Sequence, residues 1–227
     1  METSEIKSKL LSLRDAKYAE FSAKLIPGFH KEYFIGVRTP QLKALAREIV
    51  RSGNYDNFLN SLPHEHFEEN LLHAFILASE KNDIDATIRR VEHFLPYIDN
   101  WAVCDQFSVK LFGKHPVLIY PFLKKWMTSS HLYTRRFGVV NSMRFFLDEK
   151  FESYMLDDVA AAVTDDYYMQ MAVAWYFATA LAKQWSTAIP YLEQRRLSAV
   201  VCKMAIRKAL EGFRVNDEHK FYLRKLL

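Results

Sequence analysis

Apolar residues recur at helical spacing along almost the whole chain. Leu42, Leu45, Ala46 and Ile49 fall on one face of a helix. Thr39 is expected to cap it, Pro40 suits its first turn, and Gly53 is expected to stop it. Leu71, Leu72, Phe75, Ile76 and Ser79 form a second stripe. No segment alternates as a half-buried strand would, so the pattern predicts an all-α chain.

The longer helical patterns return at a steady interval. Their expected starts are Phe67, Asp99, His131, Asp166 and Ser198, with steps of 32, 32, 35 and 32 residues. Shorter helices are expected between them, near 83–95, 116–127, 151–163, 185–194 and 216–227. Such a return marks stacked two-helix repeats, each burying its apolar face on its neighbours. The tetratricopeptide signature W-x2-L-G-x2-Y is absent, and a HEAT-like pattern fits better. The expectation is a curved α-solenoid of about six antiparallel helix pairs. It treats 1–227 as one HEAT-like repeat domain, with N-terminal helices over 1–63 and repeats over 64–227.

Composition narrows the picture further. Only 6 Gly and 7 Pro in 227 residues argue against an all-β chain needing frequent turns. No run approaches the roughly 18 uncharged apolar residues of a membrane span. The charged, amphipathic N-terminus lacks the core of a signal peptide. Cys104 and Cys202 cannot build a disulfide framework or a four-ligand zinc site. These features lead to the expectation of a reduced cytoplasmic protein without metal or cofactor. The net charge of +4 is unevenly spread. Residues 195–227 hold nine Lys/Arg and three acids, whereas 148–193 hold two Lys and eight acids. A basic end can be the electrostatic footprint of a nucleic-acid binder, or simply a solvated face.

Most enzyme motifs are missing: there is no P-loop, G-x-G-x-x-G, H-E-x-x-H or G-x-S-x-G. His64-Glu65-His66 is wrongly spaced for two ligands on one helical face, and His73, His93 and His115 are scattered. The unusual stretch is Asp99-Asn100-Trp101-Ala102-Val103-Cys104-Asp105. Trp101 and Asp105 are four apart and share a helical face. The competing structural reading is a core Trp with Asp105 paired to a nearby Arg. Arg136 follows Asp105 by 31 residues, almost one repeat, and Trp175 lies on the Asp166 helix. One groove lined by Trp101, Asp105, Arg136 and Trp175 could seat a cationic or nucleotide ligand. Surrounding cations, among them Lys110, Lys114, Arg135, Arg207, Lys208 and Arg214, would hold phosphates.

These residues resemble those of the AlkD-like DNA alkylation repair family, bacterial DNA glycosylases built of HEAT-like repeats. The resemblance runs roughly from Phe21 to the C-terminus. Its marks are Gly36-Val37-Arg38-Thr39-Pro40, the Trp101-x-x-x-Asp105 pair, Lys114-His115-Pro116, Trp126, Arg136 and Gln170-Met171-Ala172-Val173-Ala174-Trp175. It implies that Asp105, Trp101, Trp175 and Arg136 form a catalytic cleft that removes positively charged N3- or N7-alkylated purines from duplex DNA. It further implies a carboxylate that stabilises the sugar cation and orients water, an Arg that holds a phosphate, and no base-flipping pocket. Asn100, Ala102 and Ala178 depart from that pattern, where relatives can carry Trp, Asp and Arg. A bacterial, nucleoid-associated monomer acting on alkylated double-stranded DNA is the resulting expectation. A catalytically silent binder of damaged or branched DNA and a protein-binding solenoid stand as the alternatives.

Overall fold

The computed structural model describes all 227 residues and contains fourteen α-helices, three short 3-10 turns and no strand. No helix is long and apolar enough to cross a membrane. The chain divides into two compact units, Met1–Leu111 and Phe112–Leu227.

The first unit holds α1 (Thr3–Ser12), α2 (Ala16–Leu25), α3 (Thr39–Ser52), α4 (Asp56–Asn60), α5 (Phe67–Ser79), α6 (Ile84–Phe94) and α7 (Trp101–Gln106). In α3, Leu42, Leu45, Ala46 and Ile49 are buried, as the stripe predicts. Each large aliphatic side chain there contributes about 1.5–3 kcal/mol by leaving water. The helix starts one residue away from the expected cap. Arg38, still extended, is the N-cap, and its N–H donates to Gln41 Oε1 at 3.3 Å. Thr39 is already helical, and its hydroxyl donates instead to Gln106 on α7 at 3.3 Å. Gly53 ends the helix in the left-handed region, at φ 72°.

Helix α5 is the hub of this unit and packs on α1, α3, α6 and α7. It is buried from Phe67 to Leu77, polar residues included. A helix buried all round must satisfy its polar groups internally. Glu68 accepts from the backbone N–H groups of Ile35 and Gly36, both at 2.8 Å, and of Val37 at 3.3 Å. Gly36 itself is obligatory. Its φ is +91°, and a Cβ there would lie 2.0 Å from the Asp15 carbonyl oxygen. The Gly36–Pro40 motif is therefore the place where the chain before α3 is clamped between α2 and α5.

The second unit holds α8 (Pro116–Met127), α9 (Leu132–Phe145), α10 (Tyr154–Ala161), α11 (Tyr167–Lys183), α12 (Trp185–Glu193), α13 (Ala199–Glu211) and α14 (Asp217–Arg224). The expected starts reappear as side-chain caps. His131, Asp166 and Ser198 accept backbone N–H groups at the heads of α9, α11 and α13. The long helix α11 packs on both α9 and α13, while the shorter α8, α10, α12 and α14 back them. Gly138 lets α9 approach α8 closely, since a Cβ would lie 2.9 Å from the Leu123 carbonyl oxygen. Trp126 is only 3% exposed and packs between Phe112 and Phe137. It belongs to the core.

One expected long helix is short. α7 runs for six residues and ends at Phe107, which is extended. Beyond it, Phe107 and Val109 are buried while Ser108 between them is half-buried. Burying alternate residues requires extended backbone rather than a further helical turn.

Candidate active site

Trp101 is the first helical residue of α7 and Asp105 lies one turn on. Both are half-buried. The helix is too short to be stable by itself, so its neighbours must hold it. Asn100 is the buried N-cap, and its Oδ1 accepts the Val103 N–H at 3.0 Å. Asn100 Nδ2 donates to Asp99 Oδ1 at 2.7 Å, and Tyr33 donates its hydroxyl to Asp99 Oδ2 at 2.6 Å. Asn70, on α5, donates to the same Tyr33 oxygen at 3.0 Å. Burial and the Asp99 carboxylate together push the Tyr33 phenol far above its usual range, so it stays a donor. At the other end, Gln106 donates to Ala102 O at 3.2 Å and accepts from Thr39. The Trp101–Asp105 face is thus presented by a polar frame running from α5 to α7.

In the second unit Arg136 is 5% exposed on α9. Its Nη1 donates to the Tyr168 carbonyl in the first turn of α11, which ties the two helices together. Tyr168 and Trp175 are seven residues apart and share a face of α11, about 10 Å apart along its axis. Trp175 belongs to a half-buried stripe of α11, with Met171, Thr179 and Ala182. It lines a groove of about 310 Å³ together with Ala178, Lys208, Ala209, Phe213 and Arg214.

The remaining expected DNA contacts are scattered. Lys110 and Lys114 are exposed on the 3-10 turn that spans 110–114. Arg135 is half-buried, and its Nε donates to Ser129 O at 2.7 Å. Arg207 is exposed on α13, whereas Lys208 and Arg214 reach the Trp175 groove. The structure therefore brings together Trp101 with Asp105, and Trp175 with Lys208 and Arg214. Asp99 and Asn100, which the sequence places at the head of this stretch, turn out to frame α7. Phe213, which lines the groove, escaped the sequence reading. Phe213 stands between Gly212 and Arg214 in a turn, outside any helical stripe, and that placement is its only sequence signal.

Glu65, His66 and Glu69 place donor atoms within 4.8 Å of one another. A cation is already there: Lys7 Nζ lies 3.1 Å from Glu65 and 3.4 Å from Glu69. Glu69 Oε2 also accepts the N–H groups of Glu65 and His66. The cluster caps α5.

A search of curated proteins returns no match to the chain. A family model does match, that of the DNA alkylation repair enzymes, over residues 6–212. It covers both units, including the clamped Gly36–Pro40 segment, the framed α7 and the Trp175 helix, and so the chain belongs to the DNA alkylation repair enzyme family.

Proposed function

We propose that the protein is an AlkD-like, HEAT-like repeat glycosylase that hydrolyses the N-glycosidic bond of N3- or N7-alkylated purines in duplex DNA. The carrying observation is the Trp101–Asp105 face of α7, held by a polar frame anchored on the buried Asn70 and Asn100 in a chain of this family. Alkylation makes the base a cationic leaving group, so the reaction needs little acid catalysis. The barrier lies in positive charge developing on the deoxyribose. A carboxylate fixed beforehand stabilises that charge at no cost in reorganisation and can orient the attacking water. Asp105 takes that role. An indole face, such as that of Trp101 or that of Trp175, attracts a cationic sugar. Arg136, its guanidinium oriented by the Tyr168 carbonyl, supplies the fixed charge for a backbone phosphate. Lys110, Lys114, Arg135, Arg207, Lys208 and Arg214 contribute the salt-dependent part of DNA binding.

Single-turnover release of 7-methylguanine or 3-methyladenine from duplex DNA tests this. Asp105→Asn should fold normally, bind DNA at least as well, and release base roughly tenfold to a thousandfold more slowly, the scale of losing one preorganised electrostatic group. Full activity of the folded variant removes Asp105 from the mechanism. A wild-type chain that binds DNA but releases neither base favours a silent binder of damaged or branched DNA. One observation points that way. Asn100 serves as a buried cap, and Ala102 and Ala178 are both buried, so these positions supply no aromatic or charged group to a ligand.

A further inference from the structure

We propose that the groove between α11 and the turn after α13 seats a single unpaired nucleotide of DNA, with Phe213 as the stacking face. The inference rests on the reading of this protein as one that acts on DNA.

Phe213 is 101% exposed, the most exposed large apolar side chain in the molecule. An isolated exposed Phe needs no explanation in itself. Here its position matters. The turn that carries it is anchored by Val215, which is 4% exposed, so the ring is displayed from a fixed support. It shares the groove with the half-buried indole of Trp175. Two aromatic side chains thus border one cleft whose floor is Ala178 and Ala182.

The groove's polar chemistry lies on its rim. Lys208 and Arg214 line it and have no ion-pair partner, and Glu211 is the one acid beside them. The one hydroxyl of the lining, on Thr179, already donates its proton to the Trp175 carbonyl at 2.9 Å. Aromatic faces with flanking cations are the chemistry of sequence-tolerant nucleotide stacking. A volume near 310 Å³ sits at the low end of small-ligand sites, about 300–1,000 Å³, which suits one nucleotide. A base inside a duplex is stacked on both faces. Only an unpaired, unstacked base can present its ring to Phe213 while Lys208 and Arg214 hold the phosphates beside it.

The test uses unmodified DNA, so it does not depend on base excision. Binding of the full chain is measured by fluorescence anisotropy on a fully paired duplex and on the same duplex with one bulged nucleotide. Wild type should prefer the bulge. Phe213→Ala should lose that preference, by roughly five- to 150-fold, since stacking contributes about 1–3 kcal/mol per base. Its affinity for the paired duplex should stay within about twofold, and Phe213→Tyr should keep the preference. Arg214→Ala should lower the salt slope by about one on the bulged duplex. A Phe213→Ala variant that keeps the wild-type preference, or a wild type that has none, overturns the proposal. A wild type that binds no DNA at all overturns this proposal and the DNA-repair reading together. A bulge preference that depends on Phe213, in a protein that releases no alkylated base, supports the seat and sinks only the glycosylase.

Discussion

Helices α5 and α11 are both buried hubs, yet they hold their surroundings by opposite means. α5 buries Glu68, Glu69, Asn70 and His73 among its apolar residues, and each of these polar side chains reaches a partner outside its own helix or caps its start. α11 buries Met169, Val173, Tyr176, Phe177 and Leu181 with a run of alanines, and works by close packing. The difference carries through to the candidate site residues. Trp101 and Asp105 are positioned at second hand, through the Asn70–Tyr33–Asp99–Asn100 relay. Trp175 stands on the hub helix itself. Polar relays specify geometry sharply but fail when one member is lost, whereas packed apolar surfaces degrade gradually.

The largest expected effect tests the polar hub directly. Glu68→Ala leaves three buried N–H groups of residues 35–37 without an acceptor and should cost about 3–5 kcal/mol, since each such group is expensive to bury unpaired. Glu68→Gln, which keeps one carbonyl oxygen, should cost visibly less. Urea denaturation of both variants measures the gap, and equal losses would mean that the acceptor role is not what matters.

Acid should strain the same hub next. His64 Nε2 and His73 Nδ1 are 2.9 Å apart, and His73 stacks on Phe94 at 3.8 Å. Burial lowers His64 to about 4 and holds His73 well below its ordinary value. At these two rings the unfolded chain therefore binds more protons than the folded one from about pH 6.5 down to about pH 4. The stability these rings contribute should be full above pH 6.5 and fall through that window, by at most roughly 1.4 kcal/mol per pH unit for each ring. Hydrogen exchange near pH 5 should show α5 amides losing protection relative to pH 7, with α11 amides unchanged. A matching loss in α11 would erase the contrast.

Asn100→Ala should cost less in stability, about 0.5–2 kcal/mol for a lost N-cap. Its effect on base release should be disproportionate, because the cap holds a six-residue helix that carries Asp105. Comparing its release rate with its thermal melt checks this. The smallest effect belongs to the apolar hub. The Tyr176 hydroxyl faces Ser142 Oγ without a hydrogen bond of proper geometry. Tyr176→Phe should change stability by no more than about 0.5 kcal/mol, because no partner is orphaned. A loss comparable with that of Glu68→Ala would show that α11 depends on a polar contact in its buried face, beyond the tie from Arg136 to the Tyr168 carbonyl.

The helical character of this protein and most of its helix starts were legible in the sequence. Period-3.6 stripes and capping residues such as Asp166 and Ser198 act locally, within a few positions of the groups they satisfy. Family membership was legible for a related reason: Gly36–Pro40, Trp101-x-x-x-Asp105 and the Trp175 helix keep a fixed order and spacing. The early end of α7 was not legible, because it follows from burying Phe107 and Val109 against distant residues. Nor was the task of Glu68, which on a helical wheel is one more acid near an N-terminus, yet in the fold closes a loop 31 to 33 residues away. Phe213 stayed hidden as well, since exposure at a turn leaves no periodic trace. Local hydrogen bonds and periodicity are written along the chain, but which polar group meets which, and which aromatic ring is left in water, depends on residues far apart in sequence. Only the tertiary structure decided those.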